Sequence, residues 1–282
     1  MTAILRLLAR LPLAWLHRLG AALGWAAYLL SARYRRHLDA NLAQAGIDDP
    51  HVRRAAIAEA GKAVAELPAI WLRPHAEVAG WVREVRGRDI YDEAAARGKG
   101  VLFLTPHLGC FDVTAQFFSH AIGPITVLYR PARQPWLRPL MEAGRNRPNM
   151  RAATTDVRGV RALVKALRAG EAIGMLPDQV PSRGEGEWAE FFGRPAYTMT
   201  LAARLAESTG AAIVLAYGER LPGGAGYRMH VARMPEALAG ERPARRINRA
   251  MEGLIRERPE QYLWAYHRYK VPAGVAPPAA PG

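Results

Sequence analysis

Residues 101–112 of this 282-residue chain read VLFLTPHLGCFD. The first five, Val101–Thr105, are almost continuously apolar, as expected of a strand that is buried on both faces of a sheet. The strand runs straight into Pro106 and His107, and Asp112 follows five residues after the histidine. Open α/β folds place their active sites at the carboxyl ends of such strands.

The rest of the chain repeats this strand-like pattern. Four more apolar runs predict strands, namely Ile125–Tyr129, Ala172–Leu176, Ala211–Tyr217 and Tyr227–Val231. Helical patterns lie between or after them, at Gly159–Arg168, Thr198–Glu207 and Ala244–Arg258. This alternation predicts an α/β fold, a single domain with a mostly parallel central sheet flanked by helices.

His107 and Asp112 fit the chemistry of acyl transfer to an alcohol. A neutral imidazole can take the hydroxyl proton as the oxygen attacks an acyl carbonyl. A carboxylate on the other ring nitrogen fixes the tautomer and stabilises the imidazolium, as in a triad whose serine is replaced by the substrate oxygen. The spacing alone also fits an ordinary helix N-terminus that Asp112 caps.

Four further short motifs follow in order and give the first one a context. Tyr129-Arg130-Pro131 and Asp178-Gln179 each come after a predicted strand, Phe191-Phe192-Gly193 follows, and residues 261–270 read QYLWAYHRYK. Together the five motifs resemble the late acyltransferases of lipid A biosynthesis, the lauroyl and myristoyl transferase family within the lysophospholipid acyltransferase superfamily. The resemblance extends over nearly the whole chain, to Lys270.

The resemblance implies a bacterial inner-membrane enzyme on the cytoplasmic face. Such an enzyme takes an acyl group from an acyl carrier protein thioester and places it on a hydroxyl of a lipid A precursor. His107 would be the general base and Asp112 its orienting carboxylate, while Arg130, Asp178 and Gln179 would lie along the acceptor and active-site cleft. Arg130 can also be a surface residue at a strand end, and Asp178-Gln179 a simple turn.

The chain also departs from the family pattern. Family members commonly carry Asn and then an aromatic residue before the acid, whereas this chain has Cys110 and Phe111. We interpret Cys110 as a small buried hydrophobe rather than a nucleophile. The segment Arg145–Arg158 is irregular for the family, which leaves open a related acyltransferase acting on a glycerophospholipid, an aminolipid or a mannolipid.

The charge balance predicts anionic partners. Lys and Arg number 39 against 25 acids, a net charge of +14. Acyl carrier protein, which is acidic, and an anionic membrane surface both fit such an excess. Nucleic acid would also fit the charge, but the sequence contains neither zinc-finger spacing nor an RNP-like strand, so we do not expect it as a partner.

Other classes of site are disfavoured by the sequence. The single cysteine cannot form an internal disulfide or a Cys-based zinc cage. The histidines and acids show no metal-ligand spacing, and a thioester carrier already activates the acyl group, so no metal and no cofactor is expected. An α/β hydrolase would need a G-x-S-x-G elbow between strand and helix, but the nearest segment, 206–210, precedes a strand instead.

The N-terminal residues predict a membrane-associating helix. The longest stretch free of Arg and His is Leu19–Ala32, shorter than the roughly 20 apolar residues that cross a bilayer. On a helical projection Arg6, Arg10 and His17 form a narrow basic stripe, and Pro12 should kink or break the helix. The anchor either spans the membrane or lies in its interface. The alternative is an amphipathic helix packed on the domain.

A cluster of Arg33, Arg35, Arg36 and His37 follows and suits anionic headgroups on the cytoplasmic side. We therefore divide the chain into a membrane anchor over residues 1–37 and an acyltransferase domain over residues 38–271. Residues 272–282 consist largely of Pro, Ala and Gly and are predicted to form a disordered tail.

Overall fold

The computed structural model describes residues 2–132 and 134–278. Its strands, labelled in chain order, are β1 (Val82–Arg86), β2 (Val101–Leu104), β3 (Ile125–Tyr129), β4 (Met150–Thr154), β5 (Ala172–Met175), β6 (Gly186–Phe191), β7 (Arg194–Met199), β8 (Ala212–Arg220) and β9 (Tyr227–Arg233). Its helices are α1 (Thr2–Arg10), α2 (Leu13–Leu30), α3 (Ala32–Gln44), α4 (Pro50–Ala65), α5 (Leu67–Leu72), α6 (His75–Ala79), α7 (Arg88–Ala96), α8 (Phe111–Ala121), α9 (Arg138–Arg145), α10 (Val157–Arg168), α11 (Leu201–Thr209) and α12 (Pro243–Glu257).

One seven-stranded sheet has the order β1-β9-β8-β2-β5-β3-β4. Neighbouring strands run parallel, apart from the antiparallel pair β8–β9. Strands β6 and β7 form a separate antiparallel hairpin. The structure therefore confirms the single α/β domain with a mostly parallel central sheet.

Both faces of β2 are covered, which explains its unbroken apolar sequence. Leu102 and Leu104 belong to the core cluster that includes α10 and α12 residues. Val101 and Phe103 point to the other face and pack in a second cluster with residues of α7 and α8. A strand buried on both sides has no need for polar residues at alternate positions, so its sequence pattern is continuous.

The sequence predicted five of the nine described strands, with ends that shift by up to three residues. Strands β1, β4, β6 and β7 were not predicted. The helix predicted at Thr198–Glu207 was wrong at its start, because Thr198 and Met199 belong to β7 and the helix begins at Leu201. Thr198 and Met199 pair with β6 across a hairpin, and such cross-strand pairing overrides helical periodicity.

The N-terminal helix breaks at Pro12, as predicted, since α1 ends at Arg10 and α2 begins at Leu13. Helix α2 packs on α4 through Gly20, Gly24 and Gly61. A Cβ built on Gly61 would lie 1.9 Å from the Gly20 carbonyl oxygen, so the two backbones approach as closely as small residues allow. Among the described residues, no helix is long and apolar enough to span a bilayer.

The predicted basic stripe of Arg6, Arg10 and His17 was wrong. His17 is buried, and its Nε2 lies 3.0 Å from Glu66 Oε2. Its position follows from the break at Pro12, which separates its helix from that of the two arginines, and from the packing of α2 on α4.

The C-terminal segment contacts the domain as far as the structure describes it. The indole Nε1 of Trp188 donates a hydrogen bond of 3.0 Å to the carbonyl of Ala276. Residues 279–282, the last part of the predicted disordered tail, lie outside the described residues.

Candidate active site

The loop between β2 and α8 presents His107 at the carboxyl edge of the sheet. Its backbone is held from two sides: the His107 carbonyl accepts from Leu263 N–H at 3.1 Å, and Gly109 N–H donates to the Gln261 carbonyl at 3.0 Å. Gly109 has φ +58°, and a Cβ there would lie 2.0 Å from the Gly218 carbonyl. Only glycine fits this turn.

Asp178, in the loop after β5, is the carboxylate that contacts His107. Its Oδ1 lies 2.7 Å from His107 Nδ1, and its Oδ2 accepts from the His107 backbone N–H at 2.8 Å. Asp178 is only 1% exposed. Burial opposes its ionisation, but the charge of His107 and the two hydrogen bonds lower the pKa of Asp178 below its usual value. An ionised carboxylate only accepts, so it faces an N–H group at Nδ1, and the neutral form of the ring then has its lone pair on Nε2.

Asp112 does not contact His107, in contrast to the pairing predicted from their spacing. It is the second residue of α8 and turns to Arg145, the last residue of α9. Arg145 Nε donates to Asp112 Oδ1 at 3.1 Å, and Nη2 donates to Oδ2 at 3.2 Å. The tight turn at Gly109 directs the histidine and the start of α8 to different partners, which residue counting cannot reveal.

Arg145 is held in place on three sides. Besides the bidentate pair with Asp112, its guanidinium carbon lies 5.7 Å from the ring centroid of Trp71 and 5.8 Å from that of Tyr129. A guanidinium fixed by a carboxylate and two aromatic rings is preorganised to bind an anion. Arg145 was not predicted as a site residue, because it lies in the segment Arg145–Arg158, which is irregular for the family.

A cavity of about 290 Å³ opens beside these groups. His107, Asp112 and Arg145 line it together with Arg130 and Gln179. Asp178 is buried behind the histidine. Arg130 is exposed. The structure thus brings all five sequence-predicted residues to one region and adds Arg145.

Other residues singled out by the sequence are buried. Phe191 and Phe192 are core residues, and Tyr262 and Trp264 are buried with them. Cys110 is 3% exposed, and burial raises the pKa of its thiol well above the usual value. A thiol in this state is a poor nucleophile. Within residues 2–132 and 134–278, no three His, Cys, Asp or Glu side chains converge as metal ligands.

A buried ion-pair network lies beneath the histidine loop. Arg220, at the end of β8, donates from Nη2 to Glu66 Oε1 at 2.7 Å and to the Gly109 carbonyl at 3.0 Å, and from Nη1 to Glu59 Oε2 at 2.6 Å. Glu66 Oε2 also contacts His17 of α2. The network therefore connects the N-terminal helices to the loop that carries the active-site histidine.

This network predicts acid-sensitive stability. Burial raises the pKa of Glu66, but the charge and hydrogen bonds of Arg220, and then His17, lower it far below the ordinary 4.5. Glu66 therefore takes up a proton near pH 4.5 in the unfolded state, but only at a lower pH in the folded state. Its contribution to the free energy of unfolding is complete above pH 4.5 and decreases on further acidification. Glu66→Gln should lower the free energy of unfolding by about 3–5 kcal/mol at pH 7. It should also reduce the decrease of this free energy with falling pH below pH 5.

Urea unfolding at a series of pH values measures this effect. Glu93→Gln is a suitable control, because Glu93 pairs with Arg233 at the surface, where both side chains are about 60% exposed (59% and 61%). The control should follow the wild-type curve. A Glu66→Gln protein with the wild-type stability at pH 7 and the wild-type slope below pH 5 would contradict the prediction.

The chain is similar to known bacterial acyltransferases. The sequence model of a family described as bacterial lipid A biosynthesis acyltransferase matches residues 1–271. The lipid A biosynthesis lauroyltransferase of Escherichia coli (strain K12) is 28% identical over 96% of this chain and 91% of its own length. The palmitoleoyltransferase of the same organism is 28% identical over 74% and 68%, respectively. A lipid A biosynthesis acyltransferase of Haemophilus influenzae is 29% identical over 95% and 88%. These matches confirm the resemblance predicted from the motifs.

Proposed function

Since the chain belongs to the family of bacterial lipid A biosynthesis acyltransferases, we propose that it moves a fatty acyl group from an acyl carrier protein thioester to a hydroxyl of a lipid A precursor. The observation that carries the proposal is that His107, in the wall of a cavity, pairs with the buried Asp178 at a Nδ1–Oδ1 distance of 2.7 Å. It supplies the base that alcohol acylation requires.

His107 Nε2 takes the proton of the acceptor hydroxyl while the hydroxyl oxygen attacks the thioester carbonyl carbon. Asp178, on Nδ1, stabilises the imidazolium that forms. The tetrahedral intermediate then collapses: the carbon–sulfur bond breaks, and the thiolate of the carrier leaves and takes the proton from Nε2. The products are the acylated lipid and the free thiol of the carrier, and His107 returns to its starting state.

Arg145 serves as the anion-binding group in this scheme. Its guanidinium lines the cavity with His107 and is oriented by Asp112. Negative charge develops on the carbonyl oxygen during attack, and a preorganised donor stabilises it most in that state. Asp112 thus acts through Arg145 rather than through His107. Arg130 and Gln179, also on the cavity wall, are placed to contact the acceptor.

The acceptor is tested by comparing transfer rates to different lipids. The purified protein is given acyl carrier protein thioesters and, in parallel, a lipid A precursor, a lysoglycerophospholipid, an aminolipid and a mannolipid. We expect transfer to the lipid A precursor at a rate well above the rates for the other three lipids. Preferred transfer to another lipid would keep the acyl-transfer chemistry and reject lipid A as the acceptor.

We also propose that the protein attaches to the cytoplasmic face of the bacterial inner membrane, and the exposed side of α2 supports attachment to a membrane surface. Trp15, Leu19, Leu23 and Leu30 are between 40% and 87% exposed, at the spacing of one helix face. The opposite face packs on α4 through glycines. An apolar helix face next to a basic cluster, residues 33–37, is typical of helices that lie in the membrane interface.

If the exposed face of α2 attaches the protein to the membrane, polar substitutions on this face should strongly weaken vesicle binding. Leu19→Gln, Leu23→Gln and Leu30→Gln together should lower binding to anionic phospholipid vesicles at least about 10²-fold, because burying one leucine contributes about 1.5–3 kcal/mol. Sedimentation with vesicles measures the partition. The matched control is Val157→Gln with Leu238→Gln, two exposed apolar residues elsewhere (68% and 59%), which should bind as wild type. Unchanged binding of the triple variant would reject this mode of attachment.

A further inference from the structure

The inner part of the active-site cavity is apolar. Phe103 of β2, Ile125 and Val127 of β3, and Phe118 of α8 line it, and each is at most 8% exposed. The rings of Phe103 and Phe118 are stacked with centroids 4.5 Å apart, which makes one rigid wall. Such a compartment suits a hydrocarbon chain and offers nothing to a sugar or phosphate.

Gly174 forms the floor of this compartment. It lies in β5, whose neighbours in the sheet are β2 and β3, and it pairs in register with Phe103 and Val127. Despite this central position its surface is partly accessible, because it lines the cavity. The cavity therefore has an open floor at Gly174, between Phe103 and Val127, where no side chain rises from the sheet.

The fold itself does not require glycine at position 174. A Cβ there would meet nothing closer than Val127 Cγ1 at 3.5 Å and Ile125 Cδ1 at 3.8 Å, which are ordinary contacts, and its φ is not in the left-handed region. Gly218 of β8 differs, because a Cβ there would lie 3.0 Å from the Cys110 carbonyl oxygen. Glycine weakens a strand and often marks the close approach of a ligand. Of the reasons considered, the close approach of a ligand is the one that remains for a glycine at position 174.

The strand register orders the compartment by depth. Thr105, two residues before His107, also lines the cavity. The row Phe103–Gly174–Val127 lies about 7 Å further along the strands, and the row that contains Ile125 lies about 13 Å further, at about 3.3 Å per residue. The cavity thus extends from the histidine along the strands, and Ile125 stands near its far end.

We infer that this compartment holds the acyl chain of the donor, and that Gly174 and Ile125 set the chain length accepted. The inference rests on the proposed function. An extended chain passes over Gly174, where any side chain would occupy its path. The Ile125 side chain ends the path, so removing it lengthens the compartment.

Two substitutions with opposite effects test the assignment. Wild-type and variant proteins are given a mixture of acyl carrier protein thioesters of different lengths and a lipid A precursor, and the lipid products are separated by mass. Gly174→Ala should lower the ratio of the longest to the shortest accepted chain by at least about tenfold, since one methylene in an apolar pocket discriminates by 10-fold or more. Ile125→Ala should raise the same ratio by a similar factor.

The ratio of products within one mixture is insensitive to the amount of active protein, so partial unfolding cannot produce opposite shifts. Gly253→Ala is the matched control, because Gly253 lies on α12 with nothing within 4 Å of an added Cβ, and its ratio should equal that of wild type. A wild-type ratio in both Gly174→Ala and Ile125→Ala, with transfer intact, would overturn the inference but not the proposed function. A wild-type protein that transfers no chain would overturn the proposed function and the inference with it.

Discussion

His107→Ala should lower kcat for acyl transfer by about 10²–10⁴-fold, the range that a positioned general base contributes. The hydroxyl of the acceptor stays protonated during attack without Nε2. Donor binding should change little, because the cavity and Arg145 remain. Steady-state rates with purified protein, with kcat and KM measured separately, test this expectation.

Two further variants distinguish the loss of the base from a structural effect of the substitution. His107→Asn keeps a donor near Asp178 but has no basic nitrogen, so it should be as inactive as His107→Ala while avoiding an unpaired buried carboxylate. His51→Ala replaces an exposed histidine at the start of α4 and should retain the wild-type rate. A folded His107→Asn protein with wild-type kcat would contradict a role for His107 as base.

Asp178→Asn should lower kcat by about 10⁴-fold, the cost of holding a catalytic imidazole in the wrong tautomer. An amide at position 178 can donate to Nδ1, which leaves the proton on Nε2 and removes the base. The His107 backbone N–H can still bond to the amide oxygen, so the loop keeps its support. The measurement is kcat across pH, beside thermal unfolding to verify the fold.

Asp112→Asn provides the comparison that separates the two carboxylates. Because Asp112 holds Arg145 and not the histidine, its loss should cost at most about 10²–10³-fold, the value of one anion-stabilising donor. Equal losses in the two variants with the same pH profile would contradict this division. A larger loss in Asp112→Asn would return the orienting role to that residue.

Much of the fold could be predicted because buried parallel strands carry their own signal. Val101–Leu104 is apolar at every position and Ile125–Tyr129 at every position but Thr126, since helices cover both faces of the sheet. Strand β4 gives no such signal: Arg151 is exposed on an edge strand of the sheet. The hairpin β6–β7 depends on pairing between two segments, which local periodicity does not encode.

The location of the site could be predicted from the sequence, but the pairing of its side chains could not. The motif at 107–112 follows a strand end, and that alone indicates the carboxyl edge of the sheet. Asp178 reaches His107 because β5 lies beside β2 in the sheet, although 71 residues separate them. Strand order is a tertiary property, as is the approach of Arg145 from α9. Spacing therefore paired the histidine with the nearest acid in the chain instead of the nearest in space.

The central claim is that this protein esterifies a lipid A precursor through His107. The most direct test incubates wild-type protein and His107→Asn with acyl carrier protein thioester and the precursor, followed by mass spectrometry of the lipid. The account predicts that the precursor gains the mass of one ester-linked acyl group with wild-type protein and stays unchanged with His107→Asn. An unchanged lipid with folded wild-type protein, or the same mass gain with both proteins, would contradict it.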